Sequence, residues 1–242
     1  MHACQTDTLL LNGQRRRTSL TTHSCPLFLA QPPVTLSSFT MWAWTLEGIC
    51  FFLLGGIPLY VECTGNEPAV GVYRTALVLW EICAPTSMLV SAVVKYVLWP
   101  AAAEAGENNI KVFKHPGALL EHNWNVLSCL VEVALLGGLP IRYNRDFVWA
   151  PLFGLVYVLF SYAMVFAWAP ADQGPQFIYP FLDTTMGWLT TVCLWALLGV
   201  LTASFEIFGY LDHFLTEILD EQDVLSRVAA VFVIALCVCR FW

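Results

Sequence analysis

The sequence predicts an all-α membrane protein, a polytopic bundle of five or six transmembrane helices, and three observations carry that reading. Of its 242 residues, 58% are apolar and only 12% charged, whereas a soluble domain carries about 25% charged residues. Apolar runs near the roughly 20 residues that cross a hydrocarbon core lie at 41–61, 73–99, 122–141, 147–169 and 184–210. None alternates with a two-residue period, and a spanning segment must satisfy its backbone internally, so helices are expected rather than a barrel.

Residues 1–39 hold no run long enough to span. Gln31-Pro32-Pro33 followed by Ser37-Ser38 reads as a disordered, extended approach to the first helix. The Arg, Ser and Thr content of this tail, with Asp7 as its sole acid, also resembles an organelle transit peptide. Residues 40–210 form the bundle. Asp212, Glu217, Asp220, Glu221 and Asp223 mark 211–227 as a solvated acidic connection and contribute to the net charge of −7. The last apolar segment, 228–242, is interrupted only by Arg240 and is short for a span; it is either a tilted last helix or an interfacial segment.

Nine cysteines, an odd number, show no framework spacing. Cys237 and Cys239 are two apart, which on a helix turns them about 200° from one another and argues against a metal pair. No metal and no cofactor is expected. The only basic run, Arg15-Arg16-Arg17, lies in the tail without interleaved aromatics, which excludes a nucleic-acid partner. The bilayer itself is the expected surrounding, in the endoplasmic reticulum or plasma membrane, and no protein partner is indicated.

Parity places the loops. If side A is the face where residue 40 enters, helices one, three and five start there, with loops 100–121 and 170–183 on side A and 62–72 and 142–146 on side B. Arg15, Arg16, Arg17, Lys95, Lys111 and Lys114 fall on side A against Arg74, Arg142 and Arg145 on side B, so side A is read as cytoplasmic. Trp42, Trp44, Trp99, Trp124, Trp168 and Trp188 fall near the side A ends, as an aromatic belt would. Lys95 is expected to snorkel outward.

Helices one and three repeat one another. Thr40-Met41-Trp42 precedes Leu54-Gly55-Gly56-Ile57-Pro58 by the same fourteen residues as His122-Asn123-Trp124 precedes Leu136-Gly137-Gly138-Leu139-Pro140, an offset of 82 residues. The Gly-Gly-x-Pro segments are expected to close both helices on side B. Two parallel helices then place a hydroxyl and an imidazole at matched depth, the raw material of a nucleophile and its base. The same pattern is met by two helices that merely share an aromatic start and a Gly-Gly-Pro stop.

Polar stripes extend from both residues. Thr40, Trp44 and Glu47 share one face of helix one; His122, Asn125, Cys129 and Glu132 fall within about a quarter turn on helix three. Each group has two readings. Thr40 is a nucleophile or a helix N-cap; His122 is a base or an interfacial histidine; Asp183, at the side A start of helix five, orients His122 or caps the helix. Glu47, Glu81, Glu132 and Glu206 are the remaining acids within the spans.

Three motifs resemble one family. Ser38-Phe39-Thr40 with Phe51-Phe52, His122 with Val126-Leu127 and Glu132, and Ile178-Tyr179-Pro180-Phe181-Leu182-Asp183 with Glu206 on the next helix are similar in order and spacing to the androgen-induced and androgen-dependent transmembrane proteins. Rolling-stone-like membrane proteins share some of this punctuation. The resemblance covers about residues 37–210. It departs in having no apolar helix ahead of Thr40 and in the apolar segment 228–242. It implies a threonine hydrolase of fatty acid esters of hydroxy fatty acids, with Thr40 as nucleophile and His122 as base, acting on a lipid ester substrate. The alternative is a non-enzymatic multi-pass protein, a small carrier or a membrane-contact protein.

Overall fold

The computed structural model describes residues 37–104, 106, 110, 111, 113–141, 146–167, 177–219 and 223–241. The expectations for the tail 1–36 and for Trp168 lie outside the described residues. The fold is an all-α bundle, with no strand among the described residues. We label its six helices α1 (Phe39–Thr64), α2 (Val70–Glu104), α3 (116–136), α4 (Trp149–Met164), α5 (Trp188–Ile218) and α6 (Val224–Val238).

α2 is the central pillar. Its stretch from Cys83 to Ser91 is buried on every side, and α1, α3, α4 and α5 all pack on it. A helix apolar all round has no solvent face to present and takes the middle of a bundle. Trp80, Phe205 and Phe208 fill the core between α2 and α5 and are fully buried. Outward-facing residues are apolar too: Phe52, Leu159, Trp195 and Phe232 are all more than half exposed. Three helices, α1, α2 and α5, are long and apolar enough to cross a membrane, and α4 and α6 are shorter apolar helices. A surface this greasy belongs in lipid rather than water.

Contacts at the two ends fix the helix directions. Tyr157 of α4 donates to the Ser37 carbonyl at 3.1 Å, and the Asn123 side chain of α3 pairs with the backbone of Arg240, donating to its carbonyl at 2.8 Å and accepting from its N–H at 3.0 Å. These lie at the side A end. At the other end the buried Asp212 carboxylate accepts from the Ile141 N–H at 3.0 Å, and Arg227 donates to the Ala134 carbonyl at 3.0 Å and the Leu219 carbonyl at 3.3 Å. α6 therefore runs antiparallel along α3, and the last apolar segment is a helix packed on the bundle.

Four details differ from the sequence reading. The helix-one glycines do not end it: α1 continues through Gly55, Gly56 and Pro58 to Thr64 and is capped by Gly65 at φ 67°. Only Gly137 and Gly138, at φ 87° and 27°, terminate their helix, taking the left-handed conformation that glycine tolerates. α5 extends to Ile218, so the first half of the expected acidic connection 211–227 is helical, with Asp212 turned inward. Trp99 is buried, with the Arg240 guanidinium 4.8 Å from its ring, whereas Trp124 and Trp188 are exposed as belt residues. Finally, Lys95 turns its ammonium to the Leu236 and Cys237 carbonyls, the free end of α6, where a cation is favoured by the helix dipole.

Candidate functional site

Ser38, not Thr40, caps α1. The Ser38 hydroxyl accepts from the Met41 N–H at 3.3 Å, leaving Thr40 as the second residue of the helix with no capping duty. The N-cap reading of Thr40 is thereby removed. Around it the start of α1 is clamped by rings: Phe39 packs edge-on to Tyr157 with centroids 5.1 Å apart, and Trp42 lies 4.6 Å from Phe160. Tyr179 stacks on Phe181 at 5.1 Å.

Thr40 forms part of the wall of a cavity of about 80 Å³ whose other walls are apolar side chains of α2, α4 and α5 together with Tyr157 and Tyr179. The Tyr179 hydroxyl accepts from the Phe39 N–H at 3.2 Å and is also a hydrogen-bond partner of Thr40. Burial raises the pKa of this phenol, although the Phe39 and Thr40 contacts offset part of the rise, so it remains a neutral hydroxyl. A phenol thus lies beside one threonine at the N-terminal end of a helix, the donor type and helix end that favour developing negative charge.

His122 sits elsewhere on the same level. It belongs to a π-helical turn, Leu120–Trp124, that packs against α1. Its carbonyl accepts from the Ser91 hydroxyl, and its ring faces Phe113 at 6.1 Å. The imidazole does not line the Thr40 cavity, and its buried Nδ1 has no partner. A second π turn, Glu132–Leu136, carries Glu132 to a cleft on side B lined also by Pro58, Arg74 and Pro140. π turns interrupt helices most often at functional positions, and α3 has one at each end of its polar stripe.

The two stripes do face each other. Glu47 accepts from the Ser128 hydroxyl at 2.6 Å and from the Cys129 thiol at 3.8 Å. Asn125 turns instead to α2, its amide oxygen 3.2 Å from the Ser91 hydroxyl.

Asp183 is engaged as a cap. Its carboxylate accepts from the Thr185 N–H at 2.8 Å and the Thr185 hydroxyl at 2.7 Å, while its carbonyl accepts from Thr190. The structure thus brings Thr40 to Tyr179, sets His122 on the neighbouring helix, and occupies Asp183 with its own turn. Tyr179 and Tyr157 were not singled out by the sequence reading. The available signal was the phenol four residues ahead of Asp183 in a motif already noted, but a loop sequence does not say which of its side chains turns inward. Compared with known proteins, the chain matches no family model, no curated protein and no solved structure.

Proposed function

We propose that the chain is a multi-pass membrane hydrolase of lipid esters, related to the threonine hydrolases it resembles, with Thr40 as nucleophile and His122 as general base. The observation that supports this reading is the state of Thr40: a hydroxyl released from capping by Ser38, at a helix N-terminus, in the wall of an otherwise apolar cavity. A structural threonine has no need of that setting.

The chemistry assigns each group one task. The Thr40 oxygen attacks the ester carbonyl while its proton passes to His122; the Tyr179 hydroxyl and the positive end of the α1 dipole stabilise the oxyanion. Collapse expels the alcohol, which takes the proton back from His122, and water then releases the acid from Thr40 by the same route. The imidazole has to turn from Phe113 toward Thr40 when ester is bound; its Nδ1 has no partner to give up, and its turn packs on α1. Asp183 enters as the cap that holds the Tyr179 turn. Fatty acid esters of hydroxy fatty acids are the substrate class, in an endoplasmic reticulum or plasma membrane with side A cytoplasmic.

A serine-directed fluorophosphonate probe tests this on the full chain in membranes. Wild type and Thr40→Ser label and Thr40→Ala does not, with equal expression and thermal stability. Labelling of Thr40→Ala at the wild-type level overturns the assignment.

A further inference from the structure

The cavity beside Thr40 is too small for a lipid. Pockets that enclose a drug-sized ligand hold about 300–1,000 Å³, and this one holds about 80 Å³, room for roughly two water-sized volumes at about 30 Å³ each. It can take a carbonyl and its nearest carbons but no acyl chain. Directly outside it lies a second space of about 280 Å³, a groove between α4 and α5 lined by Pro151, Leu155, Leu194, Trp195, Leu198 and neighbouring apolar side chains. Four residues, Gly154, Val158, Leu197 and Leu201, belong to the walls of both.

At that shared wall the helices touch through a glycine. A Cβ built on Gly154 would stand 2.7 Å from Cδ2 of Leu201, closer than two carbons can approach. The Leu201 side chain therefore fills the notch that Gly154 leaves, and it is the terminal methyl of a rotatable side chain, not backbone, that separates groove from cavity. Leu201 is buried in the core, so its rotamer change is slower than the picosecond-to-nanosecond flips of exposed side chains. The groove runs beside α5 from Thr191 to Leu201, about 15 Å at 1.5 Å per residue. Its flanks, including Leu155, Trp195 and Leu198, are exposed and apolar, so the material next to it in a bilayer is acyl chain.

We propose that this groove binds a single acyl chain of a membrane lipid, and that Leu201 over Gly154 is the gate through which the chain's ester end passes to the Thr40 cavity. The site deepens the hydrolase reading and rests on it for the identity of the ester. The groove and gate themselves are tested without catalysis.

The experiment uses the full chain in phosphatidylcholine nanodiscs with a long-chain fatty acid bearing a photoreactive diazirine at its tail, cross-links being mapped by mass spectrometry. Wild type and Thr40→Ala are expected to give the same enrichment on the groove walls, peptides carrying Gly154–Val158 and Leu194–Leu201. Gly154→Leu fills the notch and is expected to reduce that capture about tenfold, the order of one or two methylenes in an apolar pocket. Gly199→Leu on the facing helix α5, where an added Cβ meets nothing within 4 Å, is expected to leave it unchanged. Leu201→Ala opens the gate, and with a long-chain fluorophosphonate it is expected to label Thr40 faster than wild type does.

Cross-links spread evenly over the outer faces of α1, α4, α5 and α6 overturn the groove. Equal capture by Gly154→Leu and wild type, or an equal loss in Gly199→Leu, overturns the gate; should Gly154→Leu fail to fold, an unchanged labelling rate in Leu201→Ala does so alone. Groove cross-links in a protein that no fluorophosphonate labels would leave the chain site standing and remove only the hydrolase.

Discussion

Cys129 lies 3.8 Å from the carboxylate of Glu47, and the two are separated by the same 82 residues that separate His122 from Thr40. Equivalent positions of the repeat therefore meet across the α1–α3 interface. Seven residues nearer side A on each helix, about 10 Å along the axis at 1.5 Å per residue, stand Thr40 and His122. The matched depth inferred from the repeat is thus a property of the packed helices.

Glu47 depends on Ser128. With its 2.6 Å bond removed in Ser128→Ala, one oxygen of a buried carboxyl keeps only the long thiol contact of Cys129 and the other has no partner, at a cost of about 1–3 kcal/mol. Glu47→Leu with Ser128→Ala removes both polar groups and should recover part of that loss. Thermal unfolding in detergent checks the pair, and equal additive losses in the double variant would show that the two are not coupled.

Asp183→Asn should retain near-normal turnover and stability, since asparagine caps a turn nearly as well as aspartate. Asp183→Ala loses the bonds to Thr185 and should cost about 1 kcal/mol. A large fall in turnover for the asparagine variant, with stability kept, would return the orienting role to Asp183.

Arg227 closes two helix ends at once through the Ala134 and Leu219 carbonyls. Arg227→Met keeps the apolar stem and abandons both bonds, and hydrogen bonds to charged groups contribute about 1.5–3 kcal/mol each. Hydrogen exchange should then rise first at the side B ends of α3 and α5. Uniform exchange across the bundle would contradict this.

Acid should loosen the start of α6. The Asp223 carboxylate accepts from the Ser226 hydroxyl and, at 3.0 Å, from its N–H, and these bonds hold its pKa below the usual carboxylate value. Its contribution is present above the unfolded value of about 3.9 and is lost as pH falls through the lower folded value. Asp223→Ala should flatten the acid limb of a stability profile for α6; an unaltered limb would mean that the cap is not formed in solution.

Opposite helix ends should label from opposite faces. Native Cys63, exposed near the end of α1, and a cysteine placed at the exposed Thr184 should be modified by impermeant maleimide from different sides, in a background with Cys4, Cys25, Cys193 and Cys237 replaced by serine. Modification of both from one side would remove the multi-pass reading.

The helices were legible in the sequence because each is a long, predominantly apolar run, and run length is a property of sequence alone. Their ends were less so. Gly55-Gly56-Ile57-Pro58 and Gly137-Gly138-Leu139-Pro140 are nearly the same words, yet only the second stops a helix, because Leu59-Tyr60-Val61 continues the first while Arg142-Tyr143-Asn144-Arg145 follows the second. Thr40 was legible as a candidate from the repeat, but its release from capping turned on which of two nearby hydroxyl residues, Ser38 or Thr40, the backbone chose. The partnership with Tyr179 spans 139 positions in the chain and leaves no local pattern.

The hydroxyls of the central helix carry a consequence for how the protein is made. Thr86 donates to the Ile82 carbonyl at 2.6 Å and Ser87 to that of Ala84 at 2.8 Å, and Ser91 lies 3.1 Å from that of Ser87. Each finds an acceptor one turn back on its own helix. α2 can therefore enter the bilayer behind α1 before its later neighbours have been synthesised, with no hydroxyl left bare in hydrocarbon. The order of synthesis then runs with the order of need: the pillar is in place before α3, α4 and α5, which arrive to a finished surface.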